Sequence, residues 1–375
     1  MVRILSGDRP GSRILAVLFA LLLAVLALAP FLFEGSRALD TAARICVFAV
    51  LAASYDLILG YAGIVSFAHT MFFGIGAYGV ALASLHVGRS FTALGAGTLA
   101  GMAVAALLAA LIGLFSLRVR AIFFAMITLA VASAFAVLVS QLPALTGGED
   151  GLTYRIPRAL TAAETWGRLP QIEISLPRLL ASRGAGGAEV LSLGGMRISG
   201  KIISYYLVLG GSLVLVLAML RIVNAPFGRV LQAIRENDLR AEAVGYSVVR
   251  YRVAATIISA AFAALAGALY AVWLRYVGPD TTLSFDIMID ILLMVVIGGM
   301  GTIWGPVAGA VFLVLAQTYL QDILAGASDL GIPVLDRLFD PDRWLLWLGL
   351  AFILCVRFFP SGLVGRLRHG PGGPA

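Results

Sequence analysis

The sequence predicts an all-α integral membrane protein, on three observations. Hydrophobic residues make up 61% of the 375 and charged residues 13%, with a mean hydropathy of +0.98, far from the roughly half-apolar, quarter-charged balance of a soluble domain. The apolar residues stand in long continuous runs rather than alternating with period two, which predicts helices and excludes a barrel. Most runs approach the about 20 residues that a helix needs to cross a bilayer core about 30 Å thick, where every backbone polar group must be satisfied within the protein.

In chain order the runs fall near Ile14–Phe33, Thr41–Leu59, Ile64–His86, Phe91–Leu117, Ala121–Leu142, Ile202–Val223, Val253–Val277, Asp286–Met300, Pro306–Ala325 and Trp344–Phe359, giving about ten transmembrane helices. The first follows Arg3, Arg9 and Arg13 in the manner of a signal peptide. Ala27 and Ala29 are followed at once by Pro30 and more apolar residues, however, so an uncleaved span is expected. With the N-terminus inside, the inner segments hold Arg118, Arg120, Arg229, Arg235, Arg240, Arg250, Arg252, Arg366 and Arg368, whereas the short outer loops hold only Arg37, Arg89, Arg337 and Arg343. The positive-inside rule then places both termini in the cytoplasm. It also gives a single transmembrane domain over 1–375, with an extracytoplasmic loop at 143–201, a cytoplasmic loop at 224–252 and a flexible cytoplasmic tail at 360–375 ending in GPGGPA. Within the outer loop, GGAEVLSLGGMRISGK has short apolar pieces between glycines that suit a small hairpin; otherwise the loop reads as a solvated segment.

Spans two to five and seven to ten run in opposite senses under this topology. Each group contains a glycine-broken piece, GYAGIVSFAH in one and VIGGMGTIWGP in the other, which permits an inverted pair of halves around a midplane pathway.

The first of these pieces is the sharper signal. GYAGIVSFAHTMFFGIGAY sets Gly60, Gly63, Gly74 and Gly76 beside Ser66, His69, Phe72 and Phe73. Broken backbone at membrane depth survives only where protein covers it or where it lines a water-filled cavity, and an ionisable ring in a span tends to face the bundle interior. Ser66, His69, Phe72, Phe73, Gly74 and Gly76 are therefore candidates for a pathway wall, although the glycines would serve equally as helix-packing positions. The second piece, Val296–Ala310, reads as a short inner turn, with Pro306 in the first turn of the next helix. It lacks the Lys-Ser/Thr of a phosphate loop, so nucleotide binding there is not expected.

Asp286 and Asp290 stand a turn apart near the outer end of span eight, where solvation is cheap. Asp56, deeper in span two, fits either a coupling-ion site or a hydrogen bond to a neighbouring helix. Cys46 and Cys355 lie in apolar runs and read as small core residues. The three histidines are far apart, no metal-ligand spacing appears, and no catalytic or metal-ligating residue is assigned. The +7 formal charge comes from basic residues at the ends of apolar runs, the pattern of membrane topology rather than nucleic-acid binding.

The packet of charge at 234–252, IRENDLRAEAVGYSVVRYR, stands out in so apolar a chain. Good helix formers over Gln232–Val244, a Glu236/Arg240 pair and Gly245 as a stop predict a short helix along the inner face. Val230, Leu231, Ile234, Leu239, Ala243 and Val244 would rest on the bundle, leaving Arg235, Glu236, Asp238 and Glu242 in solvent. Charges of both signs suit a protein partner better than an anionic lipid surface.

These stretches carry a family resemblance. AIRENDLRAEAVGYSVVRYRVAATIISAAFAALAGALYA followed by LLMVVIGGMGTIWGPVAGA, together with GYAGIVSFAHTMFFGIGAY, LTGGEDGLTYRIP and FFPSGLVG in the same order, resembles the membrane subunit of branched-chain amino acid ABC importers over Thr41–Gly365. The resemblance implies a second related permease subunit, two cytoplasmic ATPases that bind ATP and Mg in this chain's stead, and a periplasmic substrate-binding protein. It implies that Arg235, Glu236, Asn237, Arg240, Glu242 and Gly245 belong to a coupling helix seated in the ATPase, and that Ser66–Gly76 helps line the path. Permeases for urea or short amides look closely similar. An ion-coupled carrier would instead need intramembrane carboxylates placed for coupling and no docking helix.

Overall fold

A computed structural model describes residues 13–32, 36–116, 121–161, 165–168, 172–175, 190–193, 197–328, 341–359 and 362–368. Arg3, Arg9, Arg118, Arg120, Arg337 and the GPGGPA tail lie outside them. The helices are α1 (Arg13–Leu32), α2 (Ser36–Asp56), α3 (His69–His86), α4 (Phe91–Ser116), α5 (Ala121–Ser140), α6 (Pro143–Thr146), α7 (Gly200–Asn224), α8 (Pro226–Glu236), α9 (Asp238–Ala243), α10 (Val248–Leu274), α11 (Pro279–Thr282), α12 (Phe285–Gly298), α13 (Trp304–Ser328), α14 (Trp344–Phe358) and α15 (Gly362–Arg368). A π-helical turn, Leu57–Tyr61, extends α2.

Among the described residues, nine helical segments are long and apolar enough to cross a membrane, against the ten expected. The difference is the third span. Backbone at Ala62–Ala68 is not helical, so the helix begins at His69 rather than Ile64, and its 18 residues are bounded by His69 and His86, which dilute its hydropathy. α3 is instead enclosed by protein, packed on α4 and α10.

The core forms around α2, whose residues from Thr41 to Asp56 are all buried except Arg44. A helix apolar all round is stable only inside a bundle. α10, α7, α12 and α13 pack against it, while α1, α4, α5 and α14 carry exposed apolar residues such as Leu21, Leu107, Ile122 and Ile353 on their outer faces, as lipid contact requires. The packing of the two groups is reciprocal. α3 lies on α10 as α12 lies on α2, and α4 lies on α10 as α13 lies on α2.

At one end of the bundle the segment after α5 docks rather than floats. Its strand β1 (Leu152–Thr153) pairs antiparallel with a strand that follows α10, Tyr276–Val277, with Leu152 opposite Val277. Tyr154, Ile156 and Leu160 are buried, and the Tyr154 hydroxyl donates to Ala271 O at 2.6 Å. Burial pushes that phenol above its ordinary range, which keeps it a donor. The first part of the loop, expected to be solvated, is thus a cap on the bundle. Further on, β2 (Thr165–Arg168), β3 (Ile172–Ser175), β4 (Val190–Leu193) and β5 (Arg197–Ser199) make a nested antiparallel arm. β4 pairs with β3 and β5 with β2, so the two pieces expected to form a hairpin with each other pair with upstream strands instead. At the other end, α15 occupies the start of the expected flexible tail; a Cβ on Gly362 would overlap Gly299, which measures how closely it sits on the turn between α12 and α13.

Candidate functional site

The break between span two and α3 is built by residues with few alternatives. Gly63 takes a left-handed φ of +68°, a region that L side chains rarely adopt, and Ile64 N–H returns to Ile58 O at 2.8 Å to close the π turn. Two further donors of the extended segment are met by side chains. Phe67 N–H donates to Thr128 Oγ1 on α5 at 3.0 Å, and Ala68 N–H donates to Ser66 Oγ at 3.3 Å. Buried irregular backbone is tolerated because such partners exist.

His69, the first residue of α3, is fully buried and lies 2.8 Å through Nε2 from Ser54 Oγ. The Ser54 hydroxyl donates to Leu51 O at 2.7 Å, so its oxygen accepts from the imidazole, which carries its hydrogen on Nε2. Nδ1 is buried without a hydrogen-bond partner among the described residues. Ser259 Oγ on α10 donates to Ser54 O at 2.5 Å. One chain of hydrogen bonds thereby joins α2, α3 and α10 at the depth where α3 begins.

The other predicted pathway residues are brought together in the same core. Phe72 and Phe73 are buried, and Phe73 stands 5.5 Å from Tyr270 and 6.3 Å from Phe48, ring centre to ring centre. A Cβ on Gly76 would overlap Ala264 O, and one on Gly267 would overlap Phe73 O, so α3 and α10 meet backbone to backbone. Gly74 instead meets a side chain: a Cβ there would overlap Leu283 Cδ2.

A cavity of about 440 Å³ opens beside these residues, between the break, α5 and the start of α12. Phe67 and Thr70 reach it from the break, Ser133, Ser140 and Gln141 from α5, and Glu149 and Asp280 from the capped end. Ser66, His69, Phe72, Phe73, Gly74 and Gly76 do not line it. Phe67 and Thr70 belong to the predicted stretch, and a serine or threonine in an apolar run was the available signal for Thr128 and Ser133.

The charged packet folds as two helices, not one. Asn237 leaves helical geometry (φ −161°, ψ 103°), and its side chain accepts from Arg240 N–H at 2.9 Å, capping α9. The expected Glu236/Arg240 pair straddles this corner and is not among the ion pairs of the described residues. Instead Arg252 grips Asp238 through both oxygens at 2.8 and 3.0 Å, which ties α9 to α10. Gly245 ends α9 at φ +98°. Leu231 and Ile234 are buried as expected, but Leu239 and Val244 are 78% and 73% exposed, because the corner at Asn237 turns their helix away from the face that α8 buries. Glu236, Arg240, Glu242 and Ala243 are exposed beside them.

Arg235 is exposed like its neighbours, as expected, but its guanidinium reaches back to the bundle. Its guanidinium donates to Gly60 O, and its Cγ lies 3.2 Å from the point a Cβ on Gly63 would occupy. Gly60 itself leaves no room: a Cβ there would overlap the Asp56 carboxylate. Both Asp56 oxygens accept from Gly301 N–H, at 3.0 and 3.1 Å, and Gly301 takes a φ of +84° in the turn before α13. Asp56 thus makes a hydrogen bond to a neighbouring element, one of its two sequence readings. α8, the break and the turn between α12 and α13 meet at one point, through residues 175 and 245 positions apart.

Among the described residues no cluster of His, Cys, Asp or Glu could hold a metal ion, and Cys46 and Cys355 are free thiols.

A family profile described as "Branched-chain amino acid transport system / permease component" matches residues 37–355. The chain is 30% identical, over 96% of its own length and 77% of the relative's, to a Salmonella typhimurium protein named high-affinity branched-chain amino acid transport system permease protein LivM. It is 29% identical to the Escherichia coli protein of the same name, with the same coverage. It is 32% identical to a probable branched-chain amino acid transport permease protein LivM of Methanocaldococcus jannaschii, over 38% of this chain and 41% of that one. No solved structure matches.

Proposed function

The chain belongs to the family of branched-chain amino acid transport permease components, and on that premise we propose that it is the membrane-spanning subunit of an ATP-driven importer that moves branched-chain and other hydrophobic amino acids into the cell. In this reading it pairs with a second related permease in a bacterial inner membrane. A periplasmic binding protein delivers substrate from outside, and two cytoplasmic ATPases bind ATP and Mg and supply the work.

The observation that carries the reading is the contact of Arg235 with Gly60 O. α8 and α9 present Glu236, Arg240, Glu242, Leu239 and Val244 to solvent, an apolar patch ringed by charges of both signs, which suits a protein groove. Arg235 extends from the same helix pair to the broken segment. A partner that shifts α8 therefore shifts Gly60 and, through Asp56, the turn at Gly301. The hydrogen-bonded helix pair acts as a lever on the two places where backbone departs from helix, which is how a bistable pathway is switched. The reciprocal packing of the two halves supports an inverted pair around that pathway. The cavity between the break and α5, with hydroxyl and amide groups and the carboxylates of Glu149 and Asp280 at one end, suits passage of a zwitterion whose ammonium group enters past the acids.

The test is radiolabelled leucine uptake in cells lacking this gene and complemented by it, with pull-down of the ATPase. The wild-type chain restores uptake; Leu239→Asp together with Val244→Asp inserts normally but loses both the ATPase and uptake. Restored uptake of urea or a short amide without leucine would overturn the substrate, and full leucine uptake by the double variant would overturn the docking role.

A further inference from the structure

A second cavity, of about 410 Å³, lies at the capped end of the bundle between α2, α7 and the end of α10, lined by Asp40, Arg44, Lys201, Trp273, Leu274 and Arg275. Three cations face one carboxylate there. Asp40 is engaged by Lys201 at 3.1 Å, so neither arginine is matched by an acid within the cavity. Asp290, whose charge Arg44 also feels across the core, is held by Gln317 at 2.9 Å. The Nε–H groups of Arg44 and Arg275 are both buried without a hydrogen-bond partner among the described residues. A buried donor left unmade is costly, the more so when charged, so two of them beside one cavity call for an acceptor that enters from outside.

The backbone points the same way. Arg275 is the one non-glycine described residue with a left-handed φ, +59°, directly after the last turn of α10, where its N–H still reaches Ala271 O at 2.9 Å. That position is commonly glycine or asparagine, because a Cβ there is strained. An arginine kept in it is held by its surroundings, and its guanidinium is anchored to Leu160 O at 3.2 Å. Strain of this sort gathers at binding sites. Arg44 is equally unexpected: it is the single residue from Thr41 to Asp56 that α2 does not bury, and apart from the Phe48 ring 6.0 Å away it has no ion-pair partner among the described residues, the situation in which a charge within a span marks a functional site.

We propose that this cavity binds a phosphoryl anion, supplied by an anionic phospholipid headgroup. The charge topology puts this end outside, and Arg44 and Arg275 fall within apolar runs, where a charge needs a local reason. Trp273 stands with Lys201 Nζ 5.3 Å from its ring centre, and Leu274 is exposed. A ring, a snorkelling lysine and an apolar surface together suit the level of the headgroups. Arginine forks and a lysine complete the donors that a phosphate takes.

The test uses the intact chain in mixed micelles, reading the thermal midpoint and the lipid retained in native mass spectrometry. Phosphatidylglycerol raises the midpoint by several degrees over phosphatidylcholine and remains bound. Lys201→Gln with Arg44→Gln weakens that binding about tenfold or more. Arg275→Asn, which tolerates the left-handed backbone, serves as a second variant that folds independently of the first pair and weakens it likewise. Inorganic phosphate is titrated in parallel: stabilisation of the wild type but not the variants supports the anion site and moves its source to solution. Equal response to the two lipids with none to phosphate overturns the proposal, as does an undiminished preference for phosphatidylglycerol in the variants.

Discussion

The broken segment and the α8–α9 helix pair are opposites in how they treat polarity. Around Ala62–Ala68 the protein buries serine, threonine, histidine and an aspartate and gives them specific partners, such as Ser54 for His69 and Gly301 N–H for Asp56. On α9 it does the reverse and exposes leucine and valine among charges. Buried polar groups are costly unless satisfied, so the first region depends on its internal partners. Exposed apolar side chains leave the second open to a partner, as the proposed reading requires. The contrast sets a region held by internal contacts against one that, in the reading proposed above, recruits a partner, and Arg235 spans the two.

That separation is broken most severely by filling the helix contact. Gly76→Val drives a side chain into Ala264 O, at a cost of about 1–3 kcal/mol or more by overpacking. It lowers the detergent unfolding midpoint, whereas Gly95→Ala, at a position with open space, leaves it unchanged or raises it, in keeping with a stability gain of up to about 1 kcal/mol from helix propensity. Equal behaviour of the two would mean that α3 and α10 are not in backbone contact.

Ser54→Ala comes next. It strips His69 Nε2–H of its acceptor in a buried site and costs about 1–3 kcal/mol, read as a lower midpoint with leucine uptake falling only in proportion to folded protein. A specific loss of uptake at full folded yield would assign the hydroxyl to the pathway itself.

Arg235→Ala disturbs stability less, by under about 1 kcal/mol, because the side chain is partly solvated. Uptake falls at least several-fold nonetheless, with the ATPase still copurifying. Leu239→Asp has the smallest effect on stability, within about 0.5 kcal/mol as for other surface positions, and sheds the ATPase. Should Leu239→Asp destabilise as much as Ser54→Ala, the helix pair would be part of the bundle and the contrast would fail.

Much of the fold was legible in the chain. Nine of the ten expected spans lie where continuous apolar runs stand, since a bilayer imposes length and hydropathy directly on sequence. The break was also legible, from Gly60, Gly63 and Ser66 in an apolar setting. The corner at Asn237 carried its own signal, an asparagine followed by Asp238 that reads as an N-cap, and taking Gln232–Val244 as one helix misplaced Leu239 and Val244. What local sequence could not carry was pairing across the chain. Nothing near Arg235 points to Gly60, nor anything near Asp56 to Gly301, because such contacts are set by how helices stack. Arg44 was visible as an arginine within an apolar run, but its neighbours Lys201 and Arg275 come from other spans.

The central claim is that Arg235 transmits the movement of the helix pair to the broken segment, and reconstituted transport tests it most directly. In vesicles containing the permease pair, the ATPases and the binding protein, leucine import and ATP hydrolysis are measured together for wild type and Arg235→Ala. Hydrolysis that continues while import per ATP collapses is the predicted result. Import and hydrolysis both at wild-type levels would contradict it, and the contact with Gly60 would then be a structural detail without a part in coupling.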